Sequence, residues 1–119
     1  MTENTNLQQL IIEGIQDRKG RNIVIVDMSA IEGTSTSKFI IAEGTSTMHV
    51  AAVAESVNDY VRINGSIKPF NADGVEGSDW IVLDYGEIWV HIFMPETRTR
   101  YSLEDLWNDA RIASIPDVD

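Results

Sequence analysis

Cysteine is absent from the 119-residue chain, which excludes disulfides, thiolate catalysis and cysteine-based metal sites. Long apolar runs are absent as well, since none approaches the ~18 residues that a membrane-spanning helix requires. The N-terminus is polar and acidic before its first apolar positions and does not resemble a secretory signal. These absences favour a cytoplasmic protein, and the length suits a single domain with one hydrophobic core.

Positive charge is scarce, because nine Lys and Arg residues stand against nineteen Asp and Glu residues and leave a net charge of −10. Nucleic-acid binders carry basic faces, so the composition argues against direct, sequence-specific nucleic-acid binding. The segment 69–97 contains no Lys or Arg and carries these acids: Asp73, Glu76, Asp79, Asp84, Glu87 and Glu96. It is either a solvated face that keeps the protein soluble or a surface for a basic partner, which electrostatic steering would attract.

The hydrophobic periodicity predicts an α/β domain, with a mixed sheet of about five strands packed with helices. Predicted strands cover residues 22–28, 37–44, 66–73, 79–84 and 88–94, and the last two form a hairpin. Predicted helices cover residues 7–20, 45–65 and a segment that begins at Ser102 and turns Leu103, Leu106 and Trp107 inward. Pro69 indicates an edge position for the third strand. We expect one domain over 1–119, with a core over about 7–110 and a loose acidic tail over 111–119.

The pentapeptide EGTST occurs twice, at residues 32–36 and 43–47. This offset is far below the ~20–50-residue period of structural repeats. The first copy lies between two strands and serves as a connection. The second copy lies between a strand and a helix, where Gly44 permits a tight turn and Thr45, Ser46 or Thr47 caps the helix.

The second copy is also a candidate nucleotide site, because a strand, a glycine and a helix N-terminus can together hold a phosphate. Nucleotidyltransferases place carboxylates just downstream to hold magnesium. Here the next acids, Glu55 and Asp59, lie two helical turns or more into the helix, and no Walker lysine is present. Capping is therefore favoured, and a small nucleotidyltransferase-like enzyme that binds a nucleotide at the GTST turn is the alternative.

Other catalytic patterns are missing from the sequence. The chain has two histidines: His49 in the first turn of the second helix, and His91 on a strand whose alternation places it on one face with Trp89 and Phe93. Neither belongs to a metal motif such as HExxH, and no serine stands in a GxSxG turn. Both histidines are expected to be structural, and we expect no enzyme activity, no metal and no cofactor.

The predicted hairpin combines aromatic and acidic residues. Strand alternation places Trp80 and Asp84 on one face of the sheet. Ile81 and Leu83 take the opposite face. Trp80 and Trp89 are either core residues or anchors of a protein interface, where Trp and Tyr are enriched inside a charged rim.

The chain resembles the ribosomal silencing factor family, also called the Iojap or RsfS family, over about residues 7–110. Three blocks carry the resemblance: NIVIVDMS, SKFIIAEGTSTMHV and SDWIVLDYGEIWVHIFMPETRTRYSLEDLW. The most specific pattern is W-x-x-x-D-Y-G at residues 80–86, followed by V-H-I-F at residues 90–93. The GTS after the second strand and the closing Y-x-L-E-x-L-W at residues 101–107 add to it. Two positions depart from the family pattern: Ser37 and Lys38 replace the usual Asp-Tyr, and Met48 replaces a frequent Arg.

The resemblance implies a nucleotidyltransferase-like fold without catalytic carboxylates, and a function without catalysis. It implies binding to ribosomal protein L-fourteen on the large ribosomal subunit, which blocks joining of the small subunit and represses translation when nutrients are scarce. It also implies a role in large-subunit biogenesis and a homodimer when the protein is free. Because the acidic segment contains the hairpin, we expect these residues to contact the ribosomal protein: Trp80, Asp84, Tyr85, Glu87, Glu96 and Trp107.

Overall fold

The computed structural model of the protein describes residues 3–28, 38–101 and 111–117. Its strands are β1 Arg21–Asp27, β2 Lys38–Glu43, β3 Asn71–Asp73, β4 Trp80–Asp84, β5 Ile88–Phe93 and β6 Arg111–Ile115. They form one six-stranded sheet in the order β3-β4-β5-β2-β1-β6. Strands β2 and β5 run parallel, and the other neighbours run antiparallel, so the sheet is mixed, as the sequence predicts.

Two long helices, α1 Glu3–Asp17 and α2 Thr47–Gly65, pack on one face of the sheet, and a short helix, α3 Pro95–Tyr101, follows β5. The two long helices approach closely at Gly14, where an added Cβ would lie 2.9 Å from Cα of Val57. The Ser56 hydroxyl donates a hydrogen bond of 2.8 Å to the Gly14 carbonyl oxygen at the same crossing. None of the helices in the described ranges is long and apolar enough to span a bilayer.

The sheet has a different core on each face. The helix-side core is mainly aliphatic and joins α1 and α2 to alternate residues of the central strands, with Ile11, Val57, Ile40 and Val90 fully buried. The opposite side, which we call the second face, has a smaller cluster with aromatic members: Val26, Met28, Ile41 and Phe93, with Val24, Phe39 and Trp80 packed against it. The aromatic residues of the hairpin therefore belong to the second face.

Several predictions of secondary structure are confirmed: the strands β1 and β2, the helices α1 and α2, and the β4–β5 hairpin. Strand β3 lies at an edge of the sheet, as Pro69 indicated, although it covers only Asn71–Asp73. The helix predicted to begin at Ser102 lies outside the described residues. Helix α3 was not predicted, although Pro95 directly follows the predicted strand 88–94. Proline also suits the first helical position, where its fixed φ and missing N–H cost nothing.

The prediction of a loose tail over 111–119 is wrong for residues 111–115, which form β6. This strand pairs antiparallel with β1 over its whole length. Just beyond it, the Asp117 carboxylate accepts a hydrogen bond of 2.8 Å from the backbone N–H of Asn22 and lies 3.5 Å from the Arg21 guanidinium. Backbone pairing with a distant strand thus orders a segment whose side chains are mostly exposed.

Candidate functional site

The β4–β5 hairpin presents its residues alternately to the two faces of the sheet, as predicted. Ile81 and Leu83 are buried in the helix-side core, whereas Trp80 and Asp84 lie on the second face and are partly buried. On β5, Phe93 stands opposite Trp80 and Trp89 stands opposite Asp84. The hairpin therefore carries aromatic side chains and a carboxylate on one face.

The Trp80 side chain is held in place by three contacts. Its ring stacks on Phe93, with centroids 5.0 Å apart, and packs against Tyr101 of α3 at 4.7 Å. Its Nε1–H donates a hydrogen bond of 3.1 Å to Nδ1 of His91. Tyr101 is 47% exposed and lies against the Trp80 ring, so it offers more aromatic surface to a partner than Trp80 does. Sequence analysis did not select Tyr101 as a contact residue.

His91 is a neutral, buried member of this aromatic cluster. Because its Nδ1 accepts the hydrogen bond from Trp80, the ring proton resides on Nε2. Buried Nε2 has no hydrogen-bond partner among the described residues. Burial disfavours the imidazolium and lowers the pKa of His91 from its usual 6.5 to about 4. His91 is therefore positioned as a structural acceptor for Trp80.

Asp84 shapes the hairpin turn and retains a carboxylate oxygen for another partner. Its Oδ1 accepts a hydrogen bond of 2.7 Å from the backbone N–H of Gly86, whose positive φ of 88° suits glycine. Its Oδ2 makes no hydrogen bond within the described residues. Glu87, next in the turn, is exposed, and its backbone carbonyl oxygen accepts from the Lys38 N–H at 3.0 Å.

Tyr85 lies on the opposite side of the sheet from Trp80. It is buried in the helix-side core, where desolvation raises the pKa of its phenol above the usual value and its hydroxyl oxygen has no partner among the described residues. The sequence analysis expects both Trp80 and Tyr85 to contact the same partner. The structure separates them, because residues 81, 83 and 85 all point toward the helices.

The remaining predicted contacts are dispersed. Glu96 is exposed in the first turn of α3, and Trp107 lies outside the described residues. Asp73 on β3 stands opposite Val82 and so shares the second face with Trp80 and Asp84. We use the name hairpin surface for Trp80, Asp84, Glu87 and Tyr101.

Phe70, just before β3, is another residue that sequence analysis did not select. It is 82% exposed, although its backbone N–H donates a hydrogen bond of 2.7 Å to the Asp84 carbonyl oxygen. Its ring lies beside the hairpin turn, since a Cβ added to Gly86 would approach the ring to 3.1 Å. The sequence places a phenylalanine directly after Pro69, which indicates an edge strand. Whether its ring is exposed depends on the order of the strands, which the sequence does not give.

The start of α2, the alternative nucleotide site, is occupied by its own capping bonds. Ser46 Oγ accepts from the backbone N–H of His49 at 3.1 Å, and His49 Nδ1 accepts from the Thr45 N–H at 2.8 Å. His49 Nε2 then donates to the Arg18 carbonyl oxygen at 2.7 Å. The predicted capping role is confirmed, and the described ranges contain no cluster of acids or histidines that could hold a metal ion.

Two of the residues that depart from the family pattern, Lys38 and Met48, contact or belong to a long helix. The Lys38 ammonium donates a hydrogen bond of 2.6 Å to Gln8 of α1. Met48 is 82% exposed in the first turn of α2, and Ser37 lies outside the described residues.

An open cleft of about 640 Å³ lies between α3, β1 and β6. Its most buried charges neutralise each other, because Arg98 and Glu43 form an ion pair of 3.0 Å. Arg98 also donates a hydrogen bond of 2.7 Å to the Asn22 carbonyl oxygen. This cluster ties α3 to the sheet, so its chemistry is structural.

Comparisons with known proteins agree with the sequence resemblance. A family model described as "Ribosomal silencing factor during starvation" matches residues 2–119. The ribosomal silencing factor RsfS of Halalkalibacterium halodurans is 30% identical over 115 residues, which cover 97% of each chain. The mouse protein named "Mitochondrial assembly of ribosomal large subunit protein 1" is 30% identical over 89% of this chain and 49% of its own length. A crystal structure of a Chromobacterium violaceum protein superposes with a TM-score of 0.81 and 31% identity, covering 87% of this chain and 84% of that one.

Proposed function

The chain belongs to the ribosomal silencing factor family, and from this membership we propose that it binds the large ribosomal subunit through ribosomal protein L-fourteen. Bound there, it sterically blocks joining of the small subunit and represses translation under nutrient limitation. The mechanism needs no catalytic step, since occupancy of the joining face is sufficient. The free protein is a homodimer in this proposal and acts in the cytoplasm.

The charge of the acidic segment is the observation that carries the proposal. None of its six acids at 69–97 forms an ion pair within the described residues, although other acids there do, for example Asp117 with Arg21 and Glu43 with Arg98. A chain with a net charge of −10 is repelled by ribosomal RNA, so a basic ribosomal protein is the favourable contact on the subunit. Unpaired acids beside aromatic side chains suit such a protein.

The hairpin surface is the part of the molecule that we assign to this contact. Tyr101, supported by Trp80, supplies the apolar centre, and Asp84 and Glu87 accept from Lys or Arg of the partner. Glu96 adds charge from α3. Tyr85 contributes from the core, by fixing the end of β4, and Trp107 stays a predicted contact.

A second role in large-subunit assembly is part of the proposal. It is supported by the similarity to the mouse protein, whose name refers to mitochondrial assembly of the large subunit. The same binding site serves both roles, because a factor that occupies the joining face during assembly also keeps an unfinished subunit from joining.

Sedimentation with isolated subunits tests the proposal. The purified protein should co-sediment with large subunits and remain unbound in the presence of small ones. Added to a mixture of both subunits, it should reduce the formation of joined ribosomes, whereas preformed ribosomes should be unaffected because their site is covered. Equal profiles with and without a saturating amount of the protein would rule out the silencing mechanism.

A further inference from the structure

We propose that the outer edge of β3 is a second part of the binding surface, on which a basic, extended segment of the partner adds a strand to the sheet. Phe70 is the apolar contact for that segment. This inference rests on the proposed function, because the segment belongs to the protein that the chain contacts on the large subunit. It extends the contact beyond the residues of the hairpin surface.

The position of β3 in the sheet provides the backbone for such a contact. β3 is the last strand of the sheet beyond β4, and no strand in the described ranges pairs with its outer side. All three of its residues, Asn71–Asp73, are exposed. The Ala72 N–H at this edge donates a hydrogen bond of 3.1 Å to Oδ1 of the neighbouring Asn71, an exposed local bond that an extended peptide replaces when it adds a strand.

Exposed apolar side chains stand at both ends of this edge. Phe70 is 82% exposed and Val75 is 55% exposed, the two flanking β3. A solvent-exposed phenylalanine at a strand edge is suited to burial against an apolar side chain of a partner. We call Phe70, Asp73, Val75 and Glu76 the β3 surface.

Charge determines which occupant fits. Asp73 and Glu76 are exposed on the β3 surface, and Asp79 follows in the loop to β4. A second copy of the chain, paired edge to edge, would bring these carboxylates against themselves, which is unfavourable. RNA is repelled for the same reason. An extended segment that carries Lys or Arg beside an apolar residue matches both features.

The β3 surface is continuous with the hairpin surface. The backbone N–H of Phe70 donates to the Asp84 carbonyl oxygen at 2.7 Å, and its ring lies next to Gly86 in the turn before Glu87. Asp73 shares the second face with Asp84. One partner can therefore contact the hairpin turn and continue along β3 without leaving the sheet.

Matched exposed residues make the inference testable. Phe70→Ala should raise the Kd for isolated large subunits by about 30-fold, the loss expected of an interface anchor. Met48→Ala is the control, because Met48 is equally exposed, at 82%, but lies at the opposite end of the sheet beside the end of β2. A second pair isolates the charge: Asp73→Lys should weaken binding, and Glu55→Lys on exposed α2 should not. Thermal melting confirms that each variant is folded.

Amide hydrogen exchange distinguishes strand addition from a side-chain contact. Binding of large subunits should slow exchange at residues 71–73. The inference is overturned if these amides exchange at the same rate in the complex. It is also overturned if Phe70→Ala and Asp73→Lys bind like the wild type while Asp84→Lys does not. The second result leaves the proposed function standing. If the wild-type protein does not bind large subunits at all, both proposals fail. Protection of residues 71–73 on raising the protein concentration alone would make a second copy the occupant and would also overturn it.

Discussion

Replacing His91 by Gln should remove a loss of stability that the wild-type protein suffers in mild acid. The His91 side chain is 4% exposed and packs among the rings of Phe39, Trp80 and Phe93. No carboxylate hydrogen-bonds to it within the described residues. Burial therefore acts unopposed on its pKa, which falls from 6.5 to about 4.

The direction of the effect follows from which state binds the proton first. The unfolded chain protonates His91 below about pH 6.5, whereas the folded protein does so only near pH 4. Neutral His91 therefore makes its full contribution to the free energy of unfolding above the pKa that it has in the unfolded chain. That contribution is lost as the pH falls toward the pKa that His91 has in the folded protein. For one site with these values, the free energy of unfolding decreases by about 2 kcal/mol between about pH 7.5 and 5, and by about 3 kcal/mol at about pH 4.

Urea unfolding monitored by circular dichroism at several pH values between about 7.5 and 5 measures this loss. His91→Gln should show a decrease smaller than that of the wild type by about 2 kcal/mol, whatever its stability at neutral pH. His49→Gln is the control, because it leaves His91 in place and should keep the full loss. Identical pH dependence in the wild type and His91→Gln would refute the assignment to His91.

Three further predictions concern the surface, the cleft and the alternative site. Asp84→Asn keeps an acceptor for the turn and removes only the charge, so it should weaken large-subunit binding by about 2–5 kcal/mol. The control Glu55→Gln should leave binding unchanged. If a folded Asp84→Asn protein sediments with large subunits like the wild type, Asp84 is not part of the interface. Arg98→Ala should lower the free energy of unfolding by about 3–5 kcal/mol, because it leaves largely buried Glu43 without its cation. Adding Glu43→Gln should restore part of the lost free energy in the same unfolding assay. If nothing is restored, the loss comes from the packing of the arginine side chain. ATP with magnesium should leave the melting temperature unchanged, and a rise that disappears in Asp59→Asn would reinstate the nucleotide site.

The alternation of side chains along a strand could be predicted from the sequence. It also separates residues that the predicted interface grouped together. The pattern that placed Trp80 on one face also places Ile81, Leu83 and Tyr85 together on the other. Grouping Trp80 with Tyr85 followed residue type and closeness in sequence rather than the face of the sheet. The position of Tyr85 was thus available from local rules.

Three features could not be predicted without tertiary information: the exposure of Phe70, the contact of Tyr101 with Trp80, and strand β6. Phe70 is exposed because β3 is the last strand of the sheet, and strand order is not encoded in the period of one segment. Tyr101 reaches Trp80 because α3 turns back from the end of β5. Strand β6 is ordered by its pairing with β1, far away in the chain, and its exposed side chains give no buried period of their own.

The aromatic cluster connects the buried part of the second face to the proposed binding surface. Trp80 is fixed by Phe93, by Tyr101 and by its hydrogen bond to His91 before any partner arrives. Ordering a free side chain on binding costs about 0.5–1.5 kcal/mol, and for Trp80 that loss of freedom already occurs on folding. The hydrogen bond that holds Trp80 needs an unprotonated Nδ1, so protonation of His91 would release the tryptophan as well as destabilise the core. The pH range in which His91 stays neutral is therefore also the range in which the hairpin surface is preorganised for its partner.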